Sequence, residues 1–255
     1  MLAKKSPNII FFFLFLIFVP NVKVVASQEQ RTGINFLAQR YVYNESNKGG
    51  VSVNLVNNHT NSYLIETSIL ANNAKNNLPL ISELETPFII LPPLKIIEPG
   101  TSFDWQIKRS SNIFEGMPLP QDRESLFWVA MRAIPSQEKK QNYTGSFSIT
   151  LTPTFYFKLL YRPKDIEYLS IEQIEDSIEV KRIDNILHIN NKSPLYITMA
   201  SVRVGDTVIY DDGRLVTVQP FKQRTFRIPT SASGKIYWKL SDEYMIDLKE
   251  HSIEN

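Results

Sequence analysis

The side chains able to do chemistry are few and scattered in this 255-residue chain. His59, His188 and His251 lie far apart, and none stands at metal-ligand spacing to another. There is no cysteine to serve as a nucleophile or as a thiolate ligand for zinc. A Gly-x-Ser-x-Gly elbow, a phosphate loop and a dinucleotide fingerprint are all missing, in a chain with nine glycines. The acidic pairs Asp211-Asp212 and Asp242-Glu243 have turn composition rather than that of a matched acid and base. An enzyme is therefore not expected, nor a cofactor, a metal or a small-molecule substrate. Two kinds of binding chemistry remain. Trp105, Trp128 and Trp238 could stack on a sugar, although lone tryptophans in strand patterns are more often core. Arg40, Lys158 and Arg162 lie on strand-like segments, and a basic pair at the base of a cleft could hold a carboxylate, including the C-terminus of a bound chain. From the residues alone the same cations also read as solvated surface charges.

The elements that must position these groups are strands. Val51, Val53 and Leu55 alternate with polar residues, as do Phe147, Ile149 and Leu151. Tyr63 to Ile69 and Ile186 to Asn190 are short β-rich runs bounded by Asn and Lys turns, and Ile34 to Tyr43 reads as one further strand. Turn signals recur at Lys48-Gly49-Gly50, Pro99-Gly100, Asp211-Asp212-Gly213 and Ser233-Gly234. Many short strands with frequent turns predict an all-β protein built of sandwiches. Helical patterning is confined to one turn or a short helix between Ser170 and Ser177. The boundary between domains is placed at Tyr161-Arg162-Pro163-Lys164-Asp165, which gives domains at 28–162 and 163–255, each near the usual sandwich size.

Three linear features add detail. Pro92-Pro93 must stop the strand Phe88-Ile89-Ile90-Leu91, and a cis peptide can stand there. The run from Gly145 to Tyr161 alternates apolar residues for about three times the usual strand length of ~5–6. A strand this long offers an edge that something else must cover, and Pro153 within it predicts a nearby bulge. Finally, Pro118 to Trp128 is a turn-rich, charged lead-in that places Asp122, Arg123 and Glu124 at the mouth of the apolar segment Val129 to Pro135.

The first 27 residues read as a secretory signal peptide. Lys4 and Lys5 precede an apolar core from Ile9 to Val19, and Val25-Ala26-Ser27 offers a cleavage site. Pro20-Asn21 stops the run short of the ~20 apolar residues that a membrane span needs. Loss of Lys4, Lys5 and Lys23 turns the net charge from +2 to −1, so no nucleic-acid partner is expected. The mature product is expected to be exported and soluble, holding together by core burial without disulfides.

In order along the chain, several of these segments resemble the periplasmic chaperones that assemble pili and fimbriae on Gram-negative bacteria by the chaperone–usher pathway. Gly33 to Tyr43 looks like the family's first strand, with Arg40 at its characteristic arginine. Val51 to Asn58 and Tyr63 to Ile65 look like its second and third strands, and Phe88 to Leu94 is similar to its double-proline segment. Pro118 to Trp128 matches the central motif, and Phe157 to Pro163 matches the end of the donor strand. Asn190 to Tyr196 and Trp238 to Tyr244 agree more loosely in the second domain.

The resemblance implies two immunoglobulin-like β-sandwich domains in an L, with a cleft between them. Arg40 and Lys158 would bind the C-terminal carboxylate of a pilus subunit. Phe147, Ile149 and Leu151 would complete the sandwich of a subunit that lacks its last strand. Glu124, Arg162 and Asp242 would form an interdomain salt-bridge network. Partners would be pilus subunits, an outer-membrane usher and, for the free protein, a second copy covering the donor strand. Lys95 and Ile96 stand where the family usually has an aromatic and an arginine, and the loop Ser136 to Gly145 is longer than in the short-loop subfamily. The disulfide usual in the long-loop subfamily cannot form. A secreted two-domain adhesin or carbohydrate-binding protein is the alternative; it predicts exposed tryptophans and no dependence on Arg40 or Lys158.

Overall fold

The computed structural model describes residues 33–81, 86–110, 118–136 and 151–254. The expected signal peptide, and Phe147 and Ile149 of the expected donor stripe, lie outside the described residues. Within them the chain is built from strands, with one four-residue α-helix.

The first domain packs two sheets face to face. One sheet has the order β1 (Ile34–Phe36), β3 (Val51–Asn57), β8 (Ser102–Arg109), β6 (Phe88–Leu91). The other has the order β2 (Arg40–Asn44), β10 (Thr154–Arg162), β9 (Ser125–Pro135), β4 (Tyr63–Asn73), β5 (Leu78–Pro79), with β7 (Leu94–Ile97) also on β4. Inward residues of both sheets meet in one core around Trp105, Leu55, Ile65, Val129 and Leu159. Period-2 alternation is what sends these side chains inward and their neighbours out.

Two strand assignments change. The single strand expected over Ile34 to Tyr43 is two strands in different sheets: β1 pairs antiparallel with β3, and β2 pairs parallel with β10. The chain crosses between the sheets at Leu37–Gln39, where Leu37 is exposed. Pro92-Pro93 marks a second crossing, since β6 ends at Leu91 against β8 and β7 begins at Leu94 against β4. The Leu91–Pro92 peptide is cis. Trp105 Nε1 donates to the freed Pro92 carbonyl at 3.0 Å, and the Thr67 hydroxyl donates to it at 3.1 Å.

The long strand expected from Gly145 to Tyr161 is shorter in its described part. β10 begins at Thr154, and Leu151–Pro153 precede it unpaired as strand and exposed. Among the described residues no bulge accompanies Pro153, because the register of β10 on β9 runs unbroken from Thr154 to Tyr161. The proline sits just before the strand, where its missing N–H breaks no ladder, and its carbonyl accepts from the Ala133 N–H at 2.9 Å.

The second domain follows a 3-10 turn and helix α1 (Ile171–Ile174), the short helix expected from the sequence. Ser170 caps it in a reciprocal capping box with Gln173. One sheet is β11 (Ile178–Ile183), β12 (Ile186–Asn191), β16 (Lys222–Arg227). The other is β14 (Thr207–Val208), β13 (Ile197–Val204), β17 (Ile236–Ser241), β18 (His251–Ile253), with β15 (Thr217–Val218) also on β13. Their core gathers Leu187, Ile189, Ile197, Val218, Ile236 and Leu240.

The two domains share a device that the sequence does not display as a repeat. The strands β3 and β12 each end on a fully buried asparagine, Asn57 and Asn191. Asn57 Nδ2 donates to Asn61 O at 2.9 Å and Ile97 O at 3.2 Å, while Oδ1 accepts from the His59 N–H at 3.0 Å. Asn191 Nδ2 donates to Leu195 O at 2.7 Å and Gln219 O at 3.0 Å, and Oδ1 accepts from the Ser193 N–H at 2.9 Å. Each asparagine satisfies backbone groups of the turn that follows it. Replacing either with alanine strands those groups away from water, so Asn57→Ala and Asn191→Ala should each lower stability by about 1–3 kcal/mol, read from urea denaturation.

Candidate functional site

The parallel pairing of β2 with β10 sets Arg40 opposite Lys158. Alternation decides where both point. Phe157, Leu159 and Tyr161 enter the first domain's core, so Lys158, Leu160 and Arg162 leave the sheet on the other face, toward the second domain. There Leu160, Leu126 and Trp128 pack against Tyr196 in an apolar patch joining the domains.

Arg162, 5% exposed, is enclosed by partners. Nε and Nη2 both reach Glu124 Oε1 at 2.8 Å, Nη2 reaches Glu243 Oε1 at 3.1 Å, and Nη1 donates to Leu169 O at 2.7 Å. The second oxygen of Glu124 accepts from the Tyr196 N–H at 2.7 Å, and the Glu124 N–H donates to Pro194 O at 2.9 Å. Burial pushes the Glu124 carboxyl up from its ordinary value, and Arg162 with the Tyr196 amide pulls it back. The acid expected in this network at Asp242 is its neighbour. Glu243 reaches Arg162, whereas Asp242 Oδ1 turns back to accept from the Tyr244 and Ile246 N–H groups at 2.8 and 2.7 Å. Aspartate's short side chain suits that turn, and the longer glutamate arm spans to the guanidinium.

Arg40 and Lys158 are in a different state. Arg40 is as buried as Arg162, yet it meets no carboxylate among the described residues. Nη1 donates to the Asp242 carbonyl at 3.2 Å, Nη2 lies 2.9 Å from Met245 Sδ, and buried Nε has no partner there. Its pKa is lowered by burial, against the more distant pull of Glu124, Glu243 and Asp242. Lys158 Nζ donates to Thr217 Oγ1 at 2.7 Å and Thr198 Oγ1 at 3.2 Å. Burial, and then the Arg40 charge, bring its pKa down to about 7. Both residues line a cavity of about 190 Å³ between the domains. Two adjacent cations drawn from water without a counter-ion are poorly satisfied, and an incoming anion relieves both.

The remaining candidates do not assemble a site. Trp105, Trp128 and Trp238 are all buried, so none presents the open indole face that a sugar platform requires. His59 caps its own turn, His188 meets Gln223, and His251 stacks on Trp238 beside Glu175. Asp122 pairs with Arg123 at the surface. Leu151 is 79% exposed and in no core. Sequence reading missed Thr198, Thr217 and Glu243. The threonines carry no signal at all, and Glu243 was displaced by one residue.

Comparison with known proteins bears on the family and the fold. The N-terminal domain described as "Pili and flagellar-assembly chaperone, PapD N-terminal domain" matches residues 33–167, and the C-terminal domain of the pili assembly chaperone PapD matches residues 173–244. A probable fimbrial chaperone, SfmC of Escherichia coli K12, is 28% identical over 231 residues, covering 91% of this chain and 92% of the relative. The chaperone protein FimC of E. coli O6:H1 is 28% identical over 244 residues, covering 95% and 92%. A chain of the Salmonella enterica SafA pilin–SafB chaperone complex superposes with TM-score 0.72 at 24% identity, over 88% of this chain and 97% of that one. The E. coli chaperone DraB superposes with TM-score 0.70 at 24% identity, over 88% and 98%. At that identity the superpositions speak for the fold.

Two outcomes follow from the electrostatics. Glu124→Ala leaves Arg162 buried beside Glu243 alone and should cost about 3–5 kcal/mol in denaturant unfolding. The Lys158 amine should titrate near pH 7 by NMR of its Cε–H group. A bound carboxylate favours the ammonium and raises that pKa, so binding takes up a proton above pH 7. Carboxylate affinity should therefore weaken as pH rises from 7 to 9, and Lys158→Met should remove the dependence.

Proposed function

This chain belongs to the PapD family of pilus-assembly chaperones, and on that footing we propose how its cleft works: Arg40 and Lys158 hold the C-terminal carboxylate of a pilus subunit while the edge of β10 receives the subunit's terminal strand. Its role is that of a chaperone in chaperone–usher assembly of fimbriae. The family is periplasmic, and its members are chaperones rather than enzymes. Removal of residues 1–27 on export, an outer-membrane usher that accepts the loaded complex, and a second copy that covers the free edge belong to the same reading.

The single observation that carries the anchor is the contrast between three cations on one face. Arg162 is paired with two glutamates, whereas Arg40 and Lys158 meet no carboxylate among the described residues, and the acid on the wall of their cavity, Asp211, is already paired with Arg224. Strand pairing supplies the direction of the guest. β10 is bonded to β9 from Thr154 to Tyr161 but to β2 only from Lys158 onward. Thr154–Phe157 thus offer an edge without a neighbour on the β2 side among the described residues. An added strand would lie in line with β2, upstream of Arg40. For its C-terminus to reach the two cations it must run parallel to β10. Such edges favour strand addition.

Leu151, with Phe147 and Ile149 before it, shares the odd-numbered parity of Phe155 and Phe157, which pack on Phe36 and the first domain's core. In this reading the stripe fills the groove of a subunit that lacks its own last strand. Each side chain so buried stabilises by roughly 1.5–3 kcal/mol.

Co-expression with subunits from neighbouring genes tests the anchor. Arg40→Ala and Lys158→Ala should each abolish recovery of a soluble periplasmic complex while the chaperone stays folded by circular dichroism. A complex that survives both changes sinks the carboxylate assignment.

A further inference from the structure

The cleft does not end at the two cations. One row of residues runs straight across four strands, since Arg40 of β2, Lys158 of β10, Trp128 of β9 and Leu70 of β4 stand opposite one another. Residues opposed in this way share a face, and the face is the one turned to the second domain. The cavity of about 190 Å³ reaches along this row from Arg40 past Trp128 to Leu78, with Thr217 and Leu215 on its other wall. At its far end the hairpin joining β4 to β5 closes onto the second domain. Asn77 Nδ2 donates to Thr217 O at 3.3 Å, and Gln219 Nε2 donates to Asn77 Oδ1 at 2.9 Å and to Ala74 O at 2.6 Å. The groove is therefore a socket with a blind end.

The polar groups of that end are already engaged. Trp128 Nε1 donates to Asn72 Oδ1 at 3.0 Å, both ends of the Asn77 amide are bonded across the domains, and the Thr217 hydroxyl accepts from Lys158. Of the charged residues on the same wall, Asp211 is paired with Arg224, and Arg214 is drawn to Asp212 and the Asp211 carbonyl. What a guest chiefly meets is therefore apolar surface, from Trp128, Leu78, Tyr156 and Leu215, the last two about two-fifths exposed at 40% and 41%. A polar group entering here loses water without gaining a partner, whereas an apolar one gains burial. Neighbouring strands lie ~4.8 Å apart, so Trp128 is one strand spacing beyond Lys158. Only the side chain next to a bound carboxylate, that of the last residue, is placed to reach it.

We infer that the groove beyond Arg40 and Lys158 is a side-chain subsite that selects chains whose last residue is large and apolar. The inference rests on the carboxylate anchor proposed above, and it adds a specificity that the anchor alone does not have. Phenylalanine or leucine fits this socket; serine or aspartate does not.

The test uses N-acetylated heptapeptides of alternating valine and threonine that differ only in the last residue, Phe, Leu, Ser or Asp. Each is made as the free acid and as the amide, and each is titrated calorimetrically into the full protein. The Phe and Leu acids should bind at least tenfold more tightly than the Ser and Asp acids. Leu215→Asn, at a half-open surface position, should bring the four within threefold of one another while keeping the preference for acid over amide. Leu78→Asn provides a second reading of the same wall. Equal binding of all four acids, with the amides weak, overturns the subsite and leaves the anchor standing. A Phe preference untouched by both variants overturns it as well. Amides that bind as well as acids, or no binding of any peptide at millimolar concentration, overturn the anchor and the subsite together.

Discussion

The buried contact between Arg162 and Glu124 is the constraint on which the cleft depends. Arg162 closes the last strand of the first domain, Glu124 opens β9 beside it, and the second domain supplies the Tyr196 amide, the Leu169 carbonyl and Glu243. Each nitrogen of the guanidinium and each oxygen of the carboxylate has a partner, so the geometry is fixed by directional bonds rather than by apolar contact alone. Replacing such a pair with packed hydrophobes often leaves stability unchanged or improved. Its value in this protein is orientation. Thr198 and Thr217 must stand within reach of Lys158, and Asp242 and Met245 within reach of Arg40, and all four belong to the other domain. A loosened hinge would scatter the cleft's walls while each sandwich stayed folded.

Strand β10 carries this division of labour in its alternation. Its odd positions, Phe155 to Tyr161, build the core of the first domain. Its even positions run in order from cavity wall at Tyr156, to buried ammonium at Lys158, to interdomain packing at Leu160, to the ion pair at Arg162. Core, cleft and hinge are thus coupled through one register. Arg162 is satisfied within the protein, while Arg40 and Lys158 are left short of negative charge on the same face. Proteins tend to accept such local instability at sites of function, where a ligand completes what the fold leaves open.

Much of this was legible in the sequence because alternation and turn chemistry act locally. The all-β character, the stop at Pro92-Pro93 and the short helix after Ser170 follow from short patterns; the cations of the cleft were singled out by the family resemblance, since from the residues alone they also read as solvated charges. What escaped depends on long-range pairing. Nothing local tells that Ile34 to Tyr43 divides between two sheets, since its apolar pattern is continuous; the division is set by the partners β3 and β10. Asp242 and Glu243 differ in composition by one methylene, and only the turn at Tyr244 to Ile246 decides which carboxylate stays home. Thr198 and Thr217 are ordinary strand residues until the second domain is set against Lys158. The paired asparagines at 57 and 191 escaped for another reason. Each serves its own turn, and the sequence around them shares too little to mark a repeat.

Under the proposed function, the point where β2 begins would decide both how a guest is held and where it must stop. Upstream of Arg40 the edge of β10 is open; from Arg40 onward β2 occupies it. A guest strand advancing along that edge meets the first residue of β2, and the two cations stand at that junction. A one-residue slip of β10 would turn Lys158 into the core and Phe157 toward the second domain, because side chains alternate with a period of two. The slip would put a charge against Phe36 and Tyr41, take Phe157 and Leu159 out of the core, and is opposed by the whole aromatic cluster. The first domain's core therefore enforces the register that turns Lys158 toward the second domain.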